Sequence, residues 1–180
     1  DAWGYELDGA CDVPVPNSGY VGVDAGNGHS VGLKSDGTIT AWGDNGFGQC
    51  NVATPNTNYA AVAAGQWYTL ALRNDGSVVG WGENFGGQLD VPAPNAGFVA
   101  IAAGYRHTLG LTSDGSIVAW GENNDGECDV PEPNQDFVAI AAGRDHSVAL
   151  RADGHLVAWG DNGFGQCNIP DTSAAFVAVD

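Results

Sequence analysis

FVAIAAGYRHTLGLTSDGSIVAWGENNDGECDVPEPNQD, residues 98–136, decides the fold, because the chain repeats this pattern in one register. Trp-Gly stands at Trp3, Trp42, Trp81, Trp120 and Trp159, each 39 residues after the last. Ala-Gly recurs at Gly26, Gly65, Gly104 and Gly143, and Asp-Gly at Asp36, Asp75, Asp114 and Asp153. An aromatic opens each unit at Tyr20, Tyr59, Phe98, Phe137 and Phe176. A fixed period of this size, without insertion or deletion, is the mark of a repeat architecture. The chain divides into a partial repeat 1–19, repeats 20–58, 59–97, 98–136 and 137–175, and a partial repeat 176–180, all in one domain.

Each repeat reads as strands. FVAIA is short, apolar and rich in β-formers, and HTLGLT follows a Gly turn. SDGS is an Asp-Gly hairpin signal between two apolar runs, and SIVAWG is the third strand. The rest is Gly-, Asn-, Asp- and Pro-rich connector, in which ECDV can pair as an extra strand. Pro is confined to connectors, where it removes no ladder hydrogen bond. VVGW and IVAW are apolar on both faces, as sheets covered on both sides require. The small residues Gly32, Ala71, Gly110 and Ala149 let neighbouring sheets approach. A three-strand unit cannot bury its own core, so neighbouring units must do it. The fold expected is all-β, a β-propeller of mainly three-stranded blades.

GHSVG, residues 28–32, matches the Gly-x-Ser-x-Gly nucleophile pattern, which needs a strand-to-helix turn. Ser30 lies instead on a second strand, in the register of Thr69, Thr108 and Ser147, and no helix fits there. No metalloprotease, P-loop or dinucleotide fingerprint is present. No paired acid and base form a plausible cluster, so the chain reads as non-enzymatic.

AAGYRHTLGLTSDGSIVAWGENNDG resembles the repeat of the regulator of chromosome condensation superfamily of β-propellers. The short unit closed by a Val-Pro connector is most similar to bacterial members, β-lactamase inhibitors among them. The resemblance implies a propeller, usually of seven blades, and constrains function only weakly, since the superfamily spans exchange factors, photoreceptors, inhibitors and scaffolds. Plant UV-B photoreceptors of the family carry Trp-Arg-His-Thr after the Gly. This chain has Tyr105 in the Trp place, which argues against light sensing.

Composition narrows the partners. Five Lys+Arg face 22 Asp+Glu, a formal charge of −17. Such a surface repels phosphate backbones and anionic membranes, so neither nucleic acid nor membrane is an expected partner. Basic partners and cations are favoured. No apolar run is long enough to span a bilayer as a helix. Without a signal peptide or any Met, the chain reads as a mature domain or an excised piece.

Cys11, Cys50, Cys128 and Cys167 share one register, with Leu89 in the remaining repeat. Sites one blade apart exceed disulfide reach, so these read as free, buried, small hydrophobes. His29, His107 and His146 share a register with Tyr68 and read as hydrogen-bonded within their blades, while His155 stands beside a turn. The acidic loop ENNDGECD, 122–129, lacks calcium-loop spacing. No metal and no cofactor are expected. The register Trp residues read as inter-blade packing.

The candidate site lies where the copies differ. Between the first and second strands stand Asn27-Gly28, Gln66-Trp67, Tyr105-Arg106 and Arg144-Asp145, with nearly constant flanks. The antiparallel path brings this turn to the same end as the loops after each Trp-Gly, which carry Phe47, Phe85 and Phe164. Aromatics and Arg on a rigid scaffold are the makings of an interface hot spot. Asn27, Phe47, Gln66, Trp67, Phe85, Tyr105, Arg106, Arg144, Asp145 and Phe164 are therefore the candidate partner-binding residues, for a protein partner. The alternative is a structural or self-assembling scaffold without a specific ligand. DAWG reads as a third strand and FVAVD as a first strand, each without its companions. The chain is therefore expected not to close a ring alone and to self-associate through those terminal strands.

Overall fold

The computed structural model describes residues 9–170 and 175–179. The DAWG segment, Trp3 and Asp180 lie outside the described residues. Among the described residues, twelve strands form four antiparallel sheets. The first holds β1 (Tyr20–Ala25), β2 (His29–Lys34) and β3 (Ile39–Gly43), and the second β4 (Tyr59–Ala64), β5 (Tyr68–Arg73) and β6 (Val78–Gly82). The third holds β7 (Phe98–Ala103), β8 (His107–Thr112) and β9 (Ile117–Gly121), and the fourth β10 (Phe137–Ala142), β11 (His146–Arg151) and β12 (Leu156–Gly160). The first strands β1, β4, β7 and β10 adjoin one another in turn, so they line a common axis. The fold is an all-β propeller arrangement of three-stranded blades. Phe176 keeps the repeat register, its N–H donating to Gly154 O at 3.0 Å, but 175–179 form no strand. A strand is an inter-strand ladder, and no described segment pairs with this one.

The core lies between blades. Val31, Leu33 and Ile39 of the first blade pack on Tyr59, Ala64, Ala71 and Trp81 of the second. The second blade's other face, with Tyr68, Leu70, Leu72 and Val78, meets Phe98 and Trp120 of the third. Leu109, Leu111 and Ile117 repeat the contact against Phe137, Ala149 and Trp159. Strands covered on both sides carry apolar residues on both faces, which is why the alternation is lost.

Two expectations need correcting. Ala71 and Ala149 do pack on the neighbouring blade, but Gly32 and Gly110 make room for an aromatic ring of their own blade instead. A Cβ on Gly32 would lie 2.5 Å from Tyr20 Cε1, and one on Gly110 2.5 Å from Phe98 Cε1. ECDV forms no extra strand. The outer strand is instead met by one connector side chain. Asn56 accepts from Ile39 N–H through Oδ1 and donates through Nδ2 to Ile39 O, both at 2.8 Å. Asn95 does the same to Val78 and Asn134 to Ile117. A connector rich in Pro lacks the donors for a ladder, and an amide side chain supplies one donor and one acceptor.

Candidate functional site

Each blade has two ends. At the hairpin end, Asp36 Oδ1 accepts from Thr38 N–H (3.0 Å) and Thr38 Oγ1 (2.7 Å), while Gly37 takes the φ of 77° that the turn demands. Those bonds hold the Asp36 and Asp75 carboxyls below their usual range, and Asp114, bonded by Thr112 and Ser116, down at about 2. At the other end, the turn between first and second strands is closed by backbone alone, as in Gly65 N–H to Tyr68 O at 2.9 Å. A Cβ on Gly65 would overlap the Tyr68 ring, so the Gly is required. The two residues after it make no bond that closes the turn.

The following loops are organised by a residue that the sequence marks only by its constancy. Gln49 is fully buried, seven residues after Trp42. Its Oε1 accepts from Phe47 N–H at 2.9 Å and its Nε2 donates to Asp44 Oδ2 at 3.0 Å. Its backbone oxygen accepts from Thr69 Oγ1 and Trp81 Nε1 of the next blade, both at 2.8 Å. Gln88 and Glu127 repeat those inter-blade bonds. Loop shape and blade packing thus meet in one residue. Gln166 and Gln88 bond to Asp161 and Glu83 as Gln49 does to Asp44. Glu127 keeps the other bond of the set, its carboxylate accepting from Asp125 N–H as Gln49 Oε1 accepts from Phe47 N–H, but it has no amide to donate.

Ser30 belongs to this inter-blade set. Its Oγ donates to Ala10 O at 3.2 Å, and Trp42 Nε1 donates to the same oxygen at 2.9 Å. The His register also bonds between blades, not within them as expected. His29 Nε2 meets Thr69 Oγ1 at 2.9 Å, His107 Nε2 meets Ser147 Oγ at 3.0 Å, and Tyr68 OH donates to His107 O at 2.5 Å. Burial pushes His29 and His107 down to about 4 and the Tyr68 phenol upward. His155 pairs at 3.1 Å with Asp153 at the hairpin end. The four Cys are free but only half-buried, a correction to the buried reading. Cys50 Sγ bonds Asp44 O at 3.2 Å, so a sulfur at this position serves the loop backbone as well as packing. Burial raises the Cys50 thiol to about 11 and Cys128 to about 12. Among the described residues, no three His, Cys, Asp or Glu converge as a metal site would need.

The variable pairs part ways. The first residues, Asn27, Gln66, Tyr105 and Arg144, line an open axial cleft of about 590 Å³ walled by the Ala-Gly segments of the four inner strands. The second residues, Gly28, Trp67, Arg106 and Asp145, do not line it. Trp67 stacks on Phe47 of the preceding blade's loop (ring centroids 5.1 Å), and Phe47 meets Phe85 edge-on at 6.2 Å. Trp67 also meets Tyr105 at 6.3 Å. Arg106 lies 5.9 Å over Trp67 and 5.5 Å over Tyr105, and Arg144 lies 4.7 Å over Tyr105. Phe85, Phe47, Trp67, Tyr105 and Arg144 thus form one continuous ladder across the blades. Arg106 is anchored at 3.4 Å to Glu83, and Arg144 pairs with Asp145 at 3.3 Å. Asn27, at the cleft's edge in the first blade, donates its N–H to Gln66 O at 3.4 Å. Phe164, 99% exposed, joins no ring contact among the described residues and stands apart from the ladder.

Rigid blades with one end varied on a constant frame define the class: a repeat β-propeller presenting a composite loop face. The Regulator of chromosome condensation (RCC1) repeat matches residues 20–49, 59–88, 98–127 and 137–166, and the chain belongs to that family. No curated protein matches it in sequence. The structure is similar to yeast RCC1 (Prp20) in its complex with Kap60, at 24% identity and a TM-score of 0.70, over 83% of this chain and 46% of that one. Prp20p from Saccharomyces cerevisiae, reported with its binding properties to Gsp1p and histones, gives 24% and 0.71 over 85% and 48%. The ectodomain of the Physcomitrella patens receptor kinase CR4 gives 27% and 0.67 over 78% and 41%. The chain spans less than half the length of each of these three.

Proposed function

We propose that this protein is a non-enzymatic, protein-binding propeller module that works through its loop face. The observation that carries the reading is the ladder Phe85–Phe47–Trp67–Tyr105–Arg144. Its rings come from different blades, yet they form one surface, with Phe85 78% and Phe47 44% exposed. Buried contacts that only hold a blade together do not need such rings at a solvent face, whereas aromatic and Arg anchors are what interface centres use. Protein partners bound by solved relatives agree with this use of the fold. The test is affinity capture with the wild-type chain, Trp67→Ala, Tyr105→Ala and, as a control at the hairpin end, Lys34→Ala. A partner kept by Lys34→Ala and lost by both ring variants supports the reading. A partner kept by all three variants removes the loop face from the interface.

A second reading, self-association, is favoured by the outer flank of the first blade. Val23 is 72% exposed, although the matching Val62, Ile101 and Ile140 are partly covered. On the same strand, Tyr20 OH is buried and has no hydrogen-bond partner among the described residues. A second copy that covers this flank would give a homo-oligomer. Native mass spectrometry at micromolar concentration tests it: Val23→Lys converts an assembly to a monomer if the flank is the interface.

A further inference from the structure

The chain's five cations are divided between the two ends of the blades. Lys34, Arg73 and Arg151 stand at the hairpin end, over Tyr20, Tyr59 and Phe137 at 5.4, 6.0 and 4.4 Å. Arg106 and Arg144 stand at the loop end, and both already hold carboxylates of their own chain. Arg106 lies 3.4 Å from Glu83 and 3.9 Å from Glu122, and Arg144 lies 3.3 Å from Asp145. Asp44, Asp125 and Asp161 stand on the same loops and join no ion pair among the described residues. The face around the aromatic ladder is therefore negative, within a chain of −17.

Within that face three polar atoms lack a hydrogen-bond partner among the described residues: Glu83 Oε1 and Arg106 Nε, whose side chains already form an ion pair, and Gln66 Oε1, which has no such pair. Gln66 is 9% exposed, lines the axial cleft beside Tyr105 and Arg144, and its Oε1 accepts no hydrogen bond. Buried acceptors are normally satisfied; Gln66 Oε1 is buried as the side chain stands, and a turn of that side chain into the cleft it lines would present the oxygen to an entering donor. A bare divalent cation is a poor occupant, since no acidic triad converges there among the described residues. The combination wanted is positive charge at the rim, apolar surface at the ladder and a donor at the axis.

We propose that the loop face takes a protein loop of net positive charge, which seats an apolar side chain on the Phe47–Trp67–Tyr105 ladder and sets a hydrogen-bond donor on Gln66 Oε1 in the axial cleft. This rests on the reading of the loop face as a protein-binding surface. Long-range attraction to the acidic chain speeds the encounter, and the ladder and Gln66 hold the complex.

The probe is a displayed library of random constrained loops on a neutral scaffold, selected against the whole 180-residue chain at physiological salt. The expected winners carry excess Lys and Arg around an aromatic or aliphatic residue. Their association rate should fall as salt is raised. Gln66→Leu should weaken a winner about tenfold, because the donor is left unpaired, while Gln66→Glu, which keeps the acceptor, should hold or strengthen it. Neutral or acidic winners that Trp67→Ala abolishes would overturn the basic partner and leave the loop face standing. Winners indifferent to Trp67→Ala would overturn both. Basic winners that bind Gln66→Leu and Gln66→Glu as they bind wild type would overturn the axial contact.

Discussion

The two ends of a blade share strands and differ in how they are built. At the hairpin end, side chains make the turn: Asp36, Asp75 and Asp114 each bond the hydroxyl and N–H of the residue two places on. At the loop end, backbone makes the turn, and the two residues after the Gly are released from that work. The hairpin end repeats almost unchanged, and the loop end holds four unlike pairs. A turn closed by backbone bonds and a required glycine leaves its side chains free to vary, and that freedom is where a repeat protein can acquire a partner.

The largest effect tests whether folding resides between the blades. Trp81 is buried and its Nε1 donates to Gln49 O. Trp81→Ala should destabilise the fold by about 3–5 kcal/mol, read by urea unfolding, while half-buried Trp67→Ala costs about 1 kcal/mol. Equal losses would erase the distinction between frame and face. Trp67→Ala should instead weaken a loop-face partner by about 2 kcal/mol, measured by calorimetry.

Next come the hydroxyls. Thr69→Val leaves the buried His29 Nε2 and Gln49 O short of a partner and should cost about 1–2 kcal/mol. Ser30→Ala, at a half-buried and longer bond, should cost about 0.5–1 kcal/mol and change no hydrolytic rate. A hydrolytic activity that disappears with Ser30→Ala would make the chain an enzyme.

Acid should act on the frame before the face. His29 and His107 have folded values near 4, below the ordinary 6.5, so the unfolded chain binds more protons in between. Their stabilising contribution is complete above about 6.5 and is lost as pH falls toward 4. His107→Gln should flatten that slope in unfolding experiments from pH 7 to 4. The thiols run the other way. Cys50 and Cys128 are raised to about 11 and 12, so their contribution is present below the unfolded thiol value and is lost as pH rises through the folded ones. Both should react slowly with a thiol reagent at pH 8 and quickly in denaturant. The smallest effect is Glu127→Gln. It restores the amide that Gln49 and Gln88 give their loops, and should add about 0.5 kcal/mol of stability.

The repeat register, the three strands, the Asp-Gly turns and the end of the blade that varies were all legible in the sequence. Each is a local or periodic property: strand alternation, turn chemistry and spacing are written in neighbouring residues. Tertiary structure alone decided what meets across blades. Gln49, seven residues after a Trp of its own blade, accepts from the Trp and Thr of the next, and His29 reaches Thr69 rather than a group of its own sheet. It also separated Phe164 from Phe47, although both stand in the identical stretch DNGFGQCN. Phe47 has Trp67 beside it from the following blade, and Phe164 has no ring within reach among the described residues. A side chain's contacts depend on which blade follows, and the residues that touch across that boundary lie far apart along the chain.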